Sequence, residues 1–270
     1  MADVLEDIVR KTRDRLKAQK RRVPLAELQK QAAQRPSVHP FSKAIHASQG
    51  LAVIAELKQA SPSAGVIREE TDLLGRIQGY VRGGAAALSI LTEEFYFHGS
   101  PHILELARKH SDVPILRKDF IVDPYQVEES RQMGADALLL ITTLLPPSLL
   151  KELLDHTQEV GMEALVELHD EKDLEKALKA GATVIGINHR NLRTLQMDLQ
   201  LAKRLLPLIP AAGKTLVIES GIKDTSDLPP LRELGAHAVL MGETLMRHPD
   251  PEKIVLQFVQ GGRSEMRKTS

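Results

Sequence analysis

The residues best able to do chemistry stand where apolar runs end. The stretch "PILRKDFI", residues 114–121, passes from a buried-strand pattern straight into Arg117, Lys118 and Asp119. Charges at the edge of a core are costly unless solvated or paired, so this cluster is expected to face a polar mouth. Other apolar runs stop in the same way. They end on Glu56 and Lys58, Thr92 and Glu93, Thr142, Glu167 and His169, Asn188 and Arg190, Glu219 and Ser220, and Gly242, Glu243 and Thr244. The set mixes cations with carboxylates, the combination that general acid–base catalysis needs. Solvated loop ends would also be polar. They would not fall directly after the run at nearly every strand, with complementary types.

Two glycine turns add a second chemistry. "ESGI" (219–222) holds Gly221 and "MGETLM" (241–246) holds Gly242. Glycine lets the backbone approach a ligand closely, and amides opening a helix bind anions. Ordinary turn glycines would look the same taken singly. "LKQASPSAG" (57–65) carries Ser61, Pro62 and Ser63, which either cap a short turn or close over a ligand. "TEEFYFHGSP" (92–101) groups Phe95, Tyr96 and Phe97 in a chain with few aromatics; this is a flat ligand surface or packing beneath the loop. His169 and His189 suggest a metal, but no third ligand has supporting spacing, which favours polar loop contacts. Lys20, Arg21 and Arg22 form either a phosphate patch or the solvated end of a helix, where cations suit the dipole.

These groups need a scaffold. From residue 51, short apolar runs alternate with amphipathic stretches: "LAVIAEL", "AAALSIL", "VPILR", "DALLLIT", "GMEALVEL", "TVIGIN", "TLVIES" and "HAVLMG". Near-continuous apolar character fits strands covered on both faces of a parallel sheet. Stretches such as "PPSLLKELLDHTQEV" and "DEKDLEKALKA" read as the helices between them. Eight β-then-α units in about 220 residues is the count of a (β/α)8 TIM barrel. Glycines at 83, 134, 181 and 235 begin similar phrases about 50 residues apart, one pair of units each, and fit helix C-caps. In such barrels the site lies at the C-terminal strand ends, where the polar residues are. Ahead of the barrel, Val4, Leu5, Ile8, Val9, Thr12 and Leu16 form a helical stripe over about 3–20. A second short helix is expected at about 24–34, with a turn near 40–48. The division is thus an N-terminal helical extension (1–48), the barrel (49–262) and a C-terminal tail (263–270).

Composition narrows the classes. The 270 residues carry 36 Lys plus Arg against 36 Asp plus Glu, so no net charge draws the chain to nucleic acid or anionic lipid. Cysteine and tryptophan are absent, excluding disulfides, thiol nucleophiles and Cys-ligated zinc, and disfavouring stacking platforms for single strands. No apolar run approaches the roughly 20 residues of a membrane helix, and "MADVLEDIVRK" lacks a signal-type apolar region. A soluble cytoplasmic protein is expected.

The motifs "AELKQASPS", "LSILTEEFYFHGS", "ILRKDFIVDPYQV", "ALVELHDEKDL", "IGINHRNLRT", "IESGI" and "MGETLMR" together resemble, in the same order, those of the indole-3-glycerol phosphate synthase family. The resemblance spans about residues 36–262, and the N-terminal helices are also typical of the family. It implies a phosphorylated small-molecule substrate, 1-(2-carboxyphenylamino)-1-deoxyribulose 5-phosphate. The implied products are indole-3-glycerol phosphate, carbon dioxide and water, in tryptophan biosynthesis. It implies no metal or organic cofactor. No nucleic-acid or membrane partner is expected from the composition, and a monomer is expected. The general acid matches Lys118, the general base Glu167, and a second catalytic lysine Lys58 beside Glu56. Asn188 and Ser220 complete the catalytic positions. Arg190 and Glu219 match neighbouring substrate-site positions, Gly221, Gly242 and the Glu243 amide match phosphate contacts, and Phe97 and Phe120 match contacts to the aromatic part. Ser61 and Ser63 belong to the loop that would close over the substrate. His189 stands where the family pattern has asparagine, Ala64 where it has lysine, and the threonines of "LLLITTLL" where apolar residues are usual; "IREETDLLG" lacks the usual "FDP". None removes a matched catalytic position.

In that scheme Lys118 must be charged to donate a proton, and Glu56 and Asp119 would keep it so. Pairing of Lys118 with Asp119, or of Glu167 with Arg190, is the structural alternative. A Schiff-base aldolase would instead need a neutral Lys118, and a flavin- or phosphate-binding barrel without catalysis would need neither. The N-terminal helix is expected to bury its stripe on the barrel rim beside "SPSAG" and "FYF".

Overall fold

The computed structural model describes residues 4–210 and 212–263. The tail from 264 onward lies outside the described residues. Eight strands close into one parallel barrel: β1 (Ala52–Leu57), β2 (Ala87–Leu91), β3 (Ile115–Lys118), β4 (Ala137–Ile141), β5 (Glu163–Leu168), β6 (Val184–Asn188), β7 (Thr215–Glu219) and β8 (Ala238–Met241). Each strand pairs with its sequence neighbours, and β1 pairs with both β2 and β8. The eight apolar runs are thus the eight strands, and every strand has both faces buried because helices cover the outside.

Alternation along each strand sorts the core into two layers. Ile54, Leu116, Leu139, Leu165, Val217 and Leu240 meet inside the barrel. Val53, Ile115, Leu138, Val166, Ile218 and Val239 face the helical coat. The same parity, continued to the strand ends, decides which charged residues enter the mouth.

The helices begin and end on local signals. α6 (Pro124–Met133) starts at N-cap Asp123, with Pro124 at its first position, and ends on Gly134 at φ 93°. α8 (Glu171–Ala180) starts at N-cap Asp170 and ends on Gly181 at φ 89°. Gly235 is also left-handed, but Gly83 is not; its neighbour Gly84 takes that conformation at φ 90°. Only a residue without Cβ adopts it at little cost.

The N-terminal segment runs the length of the barrel. α1 (Val4–Arg22) lies over the mouth with Leu5, Ile8, Thr12 and Leu16 buried. α2 (Leu25–Ala33) packs on α6, where Leu28 and Leu16 surround Tyr125, whose hydroxyl donates to the Val23 carbonyl at 3.0 Å. α3 (Phe41–His46) plugs the opposite end. Phe41 and Ile45 join the inner core, the Ser42 amide donates to Glu163 at 3.0 Å, and His46 meets Thr215 at 2.9 Å. Burying two such side chains contributes about 1.5–3 kcal/mol each. Among the described residues, no helix is long and apolar enough to cross a membrane.

Candidate active site

A cavity of about 810 Å³ opens at the C-terminal strand ends beneath α1. Its floor is ionic. Lys118, the last residue of β3, places Nζ 3.1 Å from Glu167 Oε2 and 3.1 Å from Glu219 Oε2. These carboxylates come from β5, two strands away, and β7, directly across the barrel. Lys58, just past β1, pairs with Glu56 at 2.9 Å, and Glu56 also accepts the Ser89 hydroxyl at 3.3 Å.

The electrostatics follow from burial and pairing. Burial works against charge on Lys118, but Glu167, Glu219 and Glu56 outweigh it and hold the ammonium well above its ordinary value. Burial likewise opposes ionisation of Glu56, yet Lys58 and Lys118 keep it below the usual carboxylate range. Glu167 is also held low, by Lys118 and His169 against its burial. Glu219 goes the other way: burial, with Glu167 and Glu56 nearby, pushes it up to about 8 despite Lys118. Two carboxylates around one cation are thus driven apart, an arrangement suited to acid–base work.

Glycines make the room. A Cβ at Gly186 on β6 would sit 2.3 Å from Glu219 Oε1. One at Gly242, the residue after β8, would lie 2.4 Å from Glu56 Oε1 and 3.1 Å from Lys58 Cε. Gly242 therefore admits the Glu56–Lys58 pair as well as opening the short helix α11 (Glu243–Arg247), for which it is the N-cap position. After β7, Ser220 and Gly221 are left-handed at φ 66° and 84°. For serine this is an uncommon conformation, and it turns the chain sharply at the cavity edge.

The mouth gathers the remaining expected residues. Asn188 ends β6 and accepts the Arg190 amide at 3.0 Å; Arg190 lines the cavity and donates to the Leu195 carbonyl at 3.3 Å. Ser61 accepts the Ala64 amide at 3.2 Å, so it caps its turn, and both Ser61 and Ser63 line the cavity. Phe97 and Phe120 stack obliquely, ring centroids 6.0 Å apart, along one wall. Phe95 and Tyr96 do not line it. They carry α1, with Lys11 over both rings at 5.0 and 4.8 Å and the Tyr96 hydroxyl donating to Asp7 at 2.5 Å.

Part of the opening cluster does not reach the mouth. Arg117 is fully buried and points outward from β3, pairing with Asp119 at 2.8 Å and with Glu129 of α6 at 2.7 Å. Asp119 also accepts the Thr92 hydroxyl at 2.6 Å. Strand alternation gives the reason for Arg117: Leu116 and Lys118 point inward, so Arg117 must point out. Asp119, just past the strand, borders the cavity but gives its carboxylate to Arg117. Asp119 is therefore not the partner that keeps Lys118 charged; Glu167 and Glu219 take that part. Nor does Arg190 pair with Glu167, whose partners are Lys118 and His169. Sequence reasoning put the stripe of α1 on the rim but did not name Val4, Leu5 and Ile8 as cavity walls, and it missed Lys223 and Arg247 in the lining and Ser89 as a partner of Glu56. Ser89 carried a signal, a polar residue at an inward position of β2. The walls from α1 carried none beyond an apolar stripe.

A closed eight-stranded barrel with an ionised lysine between carboxylates, and glycine turns after β7 and β8, defines a TIM-barrel enzyme of the acid–base class. The family model for indole-3-glycerol phosphate synthase matches residues 5–258. The chain belongs to that family. It is 47% identical over 255 residues to the indole-3-glycerol phosphate synthase of Carboxydothermus hydrogenoformans, covering 92% of this chain and 97% of the relative. With that of Acetivibrio thermocellus it shares 45% over 258 residues, covering 94% and 98%. Solved structures bear out the barrel at far lower identity. 3-Hexulose-6-phosphate synthase from Salmonella typhimurium superposes with a TM-score of 0.63 at 12% identity, over 78% of this chain and 98% of that one.

Proposed function

We propose that this chain acts as an indole-3-glycerol phosphate synthase, a carboxy-lyase of tryptophan biosynthesis. It closes the ring of 1-(2-carboxyphenylamino)-1-deoxyribulose 5-phosphate with loss of carbon dioxide and water. The observation that carries the reading is the Lys118 ammonium held 3.1 Å from both Glu167 and Glu219 on the floor of the cavity.

In this scheme Lys118 protonates the substrate ketone and makes it the electrophile. The ring carbon bearing the carboxylate attacks, the new carbon–carbon bond forms, and carbon dioxide leaves. A second proton then takes the hydroxyl off as water. Lys58, beside Glu56, is placed to give it. Glu167 accepts the proton released as the indole becomes aromatic. Asn188 and Ser220 hold the reacting portion, with Arg190 and Glu219 on the substrate's polar groups. Phe97 and Phe120 flank the aromatic ring. Amides at Gly221, Gly242 and Glu243 take the phosphate, and Ser61 and Ser63 close from the β1 side. The extension of residues 1–48 forms the roof of this site, the working protein is a monomer, and its compartment is the cytoplasm.

A Schiff-base aldolase is disfavoured by the same geometry, because the neighbouring carboxylates, Glu167 foremost, hold Lys118 charged and an ammonium has no lone pair to attack a carbonyl. Incubation with the carboxyphenylamino substrate, following indole fluorescence and carbon dioxide release together, tests the proposal. Absence of both products from folded protein refutes it.

A further inference from the structure

His169 lies just beyond β5, and the acid–base scheme above gives it no task. Three elements converge on its buried ring. From β5, Glu167 Oε1 lies 3.2 Å from Nε2. From the turn after β4, Thr143 Oγ1 lies 3.2 Å from Nδ1. From α8, Asp173 Oδ2 lies 3.7 Å from Nδ1. Asp173 is itself fixed: it accepts the Thr143 hydroxyl at 2.9 Å and the His169 amide at 3.2 Å, and Lys176 stands 3.9 Å away.

These contacts determine the protons on the ring. Thr143 gives its hydroxyl hydrogen to Asp173, so its oxygen faces Nδ1 as an acceptor. A carboxylate oxygen faces Nε2. Both ring nitrogens therefore lie near oxygen acceptors, with a carboxylate on either side, and a positively charged ring is the form that suits both. Glu167 Oε1 and His169 Nε2 make no hydrogen bond among the described residues, so their 3.2 Å approach is a charge contact on which both depend. The second Glu167 oxygen belongs to Lys118.

We infer that His169 is a positioning residue for Glu167: fixed as an imidazolium by Asp173 and Thr143, it anchors the outer carboxylate oxygen and keeps Glu167 ionised, ready to act as the base. A neutral ring would turn a lone pair toward the carboxylate or toward Thr143 and release the anchor. The charge balance agrees, since Glu167 and Asp173 raise the imidazole to about 9 in spite of its burial. The groups facing Glu167 are then Lys118 from β3 and His169 beyond β5, with Glu219 from β7 sharing the same lysine, and those facing His169 are Glu167 and Asp173.

The inference rests on Glu167 being the base, and the test separates the two. Imidazole nitrogen-15 shifts of His169 in the full chain read the ring directly. A doubly protonated ring at pH 7.5 is expected; a neutral ring there overturns the inference whatever the kinetics. Glu167→Gln must lower the His169 titration midpoint by about one pH unit or more, and an unmoved midpoint overturns the contact. Glu167→Gln must also abolish most turnover; parental turnover removes the base assignment and the inference with it. In His169→Gln, kcat falls about tenfold or more with KM within threefold, and the acid limb of the kcat profile moves to higher pH, because a carboxylate without its cation takes a proton more readily. An unshifted limb with parental kcat overturns the proposal. Should that variant not fold, Asp173→Asn takes its place, with a smaller shift of the limb in the same direction expected and no shift counting against it.

Discussion

Arg15, midway along α1, places its guanidinium 3.8 Å from Asp119, the residue that follows Lys118. It also lies 3.7 Å from Glu129. Without it, one buried guanidinium, Arg117, would serve two buried carboxylates and leave an uncompensated negative charge. Arg15 balances that charge from the N-terminal segment. The roof of the cavity is thereby tied to the end of the strand that carries Lys118. The same helix supplies Leu5 and Ile8 to the cavity wall and is latched to Tyr96 through Asp7.

Deleting residues 1–35 should leave a folded barrel with weaker substrate affinity and lower turnover, because the cavity loses a wall and its shield from water. Circular dichroism establishes the fold first; a folded truncation with both kinetic constants unchanged would show the extension to be only structural. Arg15→Met is the local version. It should lower stability to urea by about 1–2 kcal/mol, less than the roughly 3–5 kcal/mol for breaking a fully buried pair, because Arg15 is partly solvated.

Lys118→Met should leave substrate binding measurable and reduce turnover by about 10²–10⁴-fold, the range for a general acid. Single-turnover kinetics with a separate binding titration distinguish the two effects. Turnover within threefold of the parent would remove the assignment.

Gly242→Ala tests the clearance at β8. The new Cβ would fall 2.4 Å from Glu56 Oε1, so the Glu56–Lys58 pair must shift. Turnover should drop about tenfold or more, since small displacements of reacting groups are costly. Inorganic phosphate, expected near Ser220, Gly221, Gly242 and Glu243, should also bind less tightly. A crystal structure with phosphate bound outside the turns after β7 and β8 would contradict that placement.

Glu219 makes the site's cost in stability measurable. Its folded value, about 8, exceeds the 4.5 of the free carboxyl, so the folded state binds more protons between those values. Stability from this group is fully present below about pH 4.5 and is lost as pH rises through about 8. His169 adds a loss of the same sign: its value rises from 6.5 to about 9, so its contribution is present below 6.5 and lost through 9. Glu219→Gln should therefore match the parent at pH 4.5 and exceed it at pH 9, on the order of 2 kcal/mol, while losing activity. Urea titrations at the two pH values measure the difference; equal stability at both would refute the buried, strained state of Glu219.

The strands were legible because a buried parallel strand must be apolar on both faces, and the polar ends were legible because the runs stop so sharply. Lys118, Glu167, Lys58 and Glu56 could be named from one dimension, since each follows its own run. Alternation even contained the answer for Arg117, whose parity, opposite to that of Leu116, excludes it from the interior. Sequence alone could not pair Lys118 with Glu219, about 100 residues away, or show that Gly186 is vacant so that Glu219 can fit. Nor could it seat Arg15 against Asp119 or place Phe41 and Ile45 as the plug opposite the mouth. Local pattern records whether a side chain seeks the core or water. Which side chains meet across the barrel is fixed only when the eighth strand pairs with the first, because closure and register then place every inward position at a set height and angle.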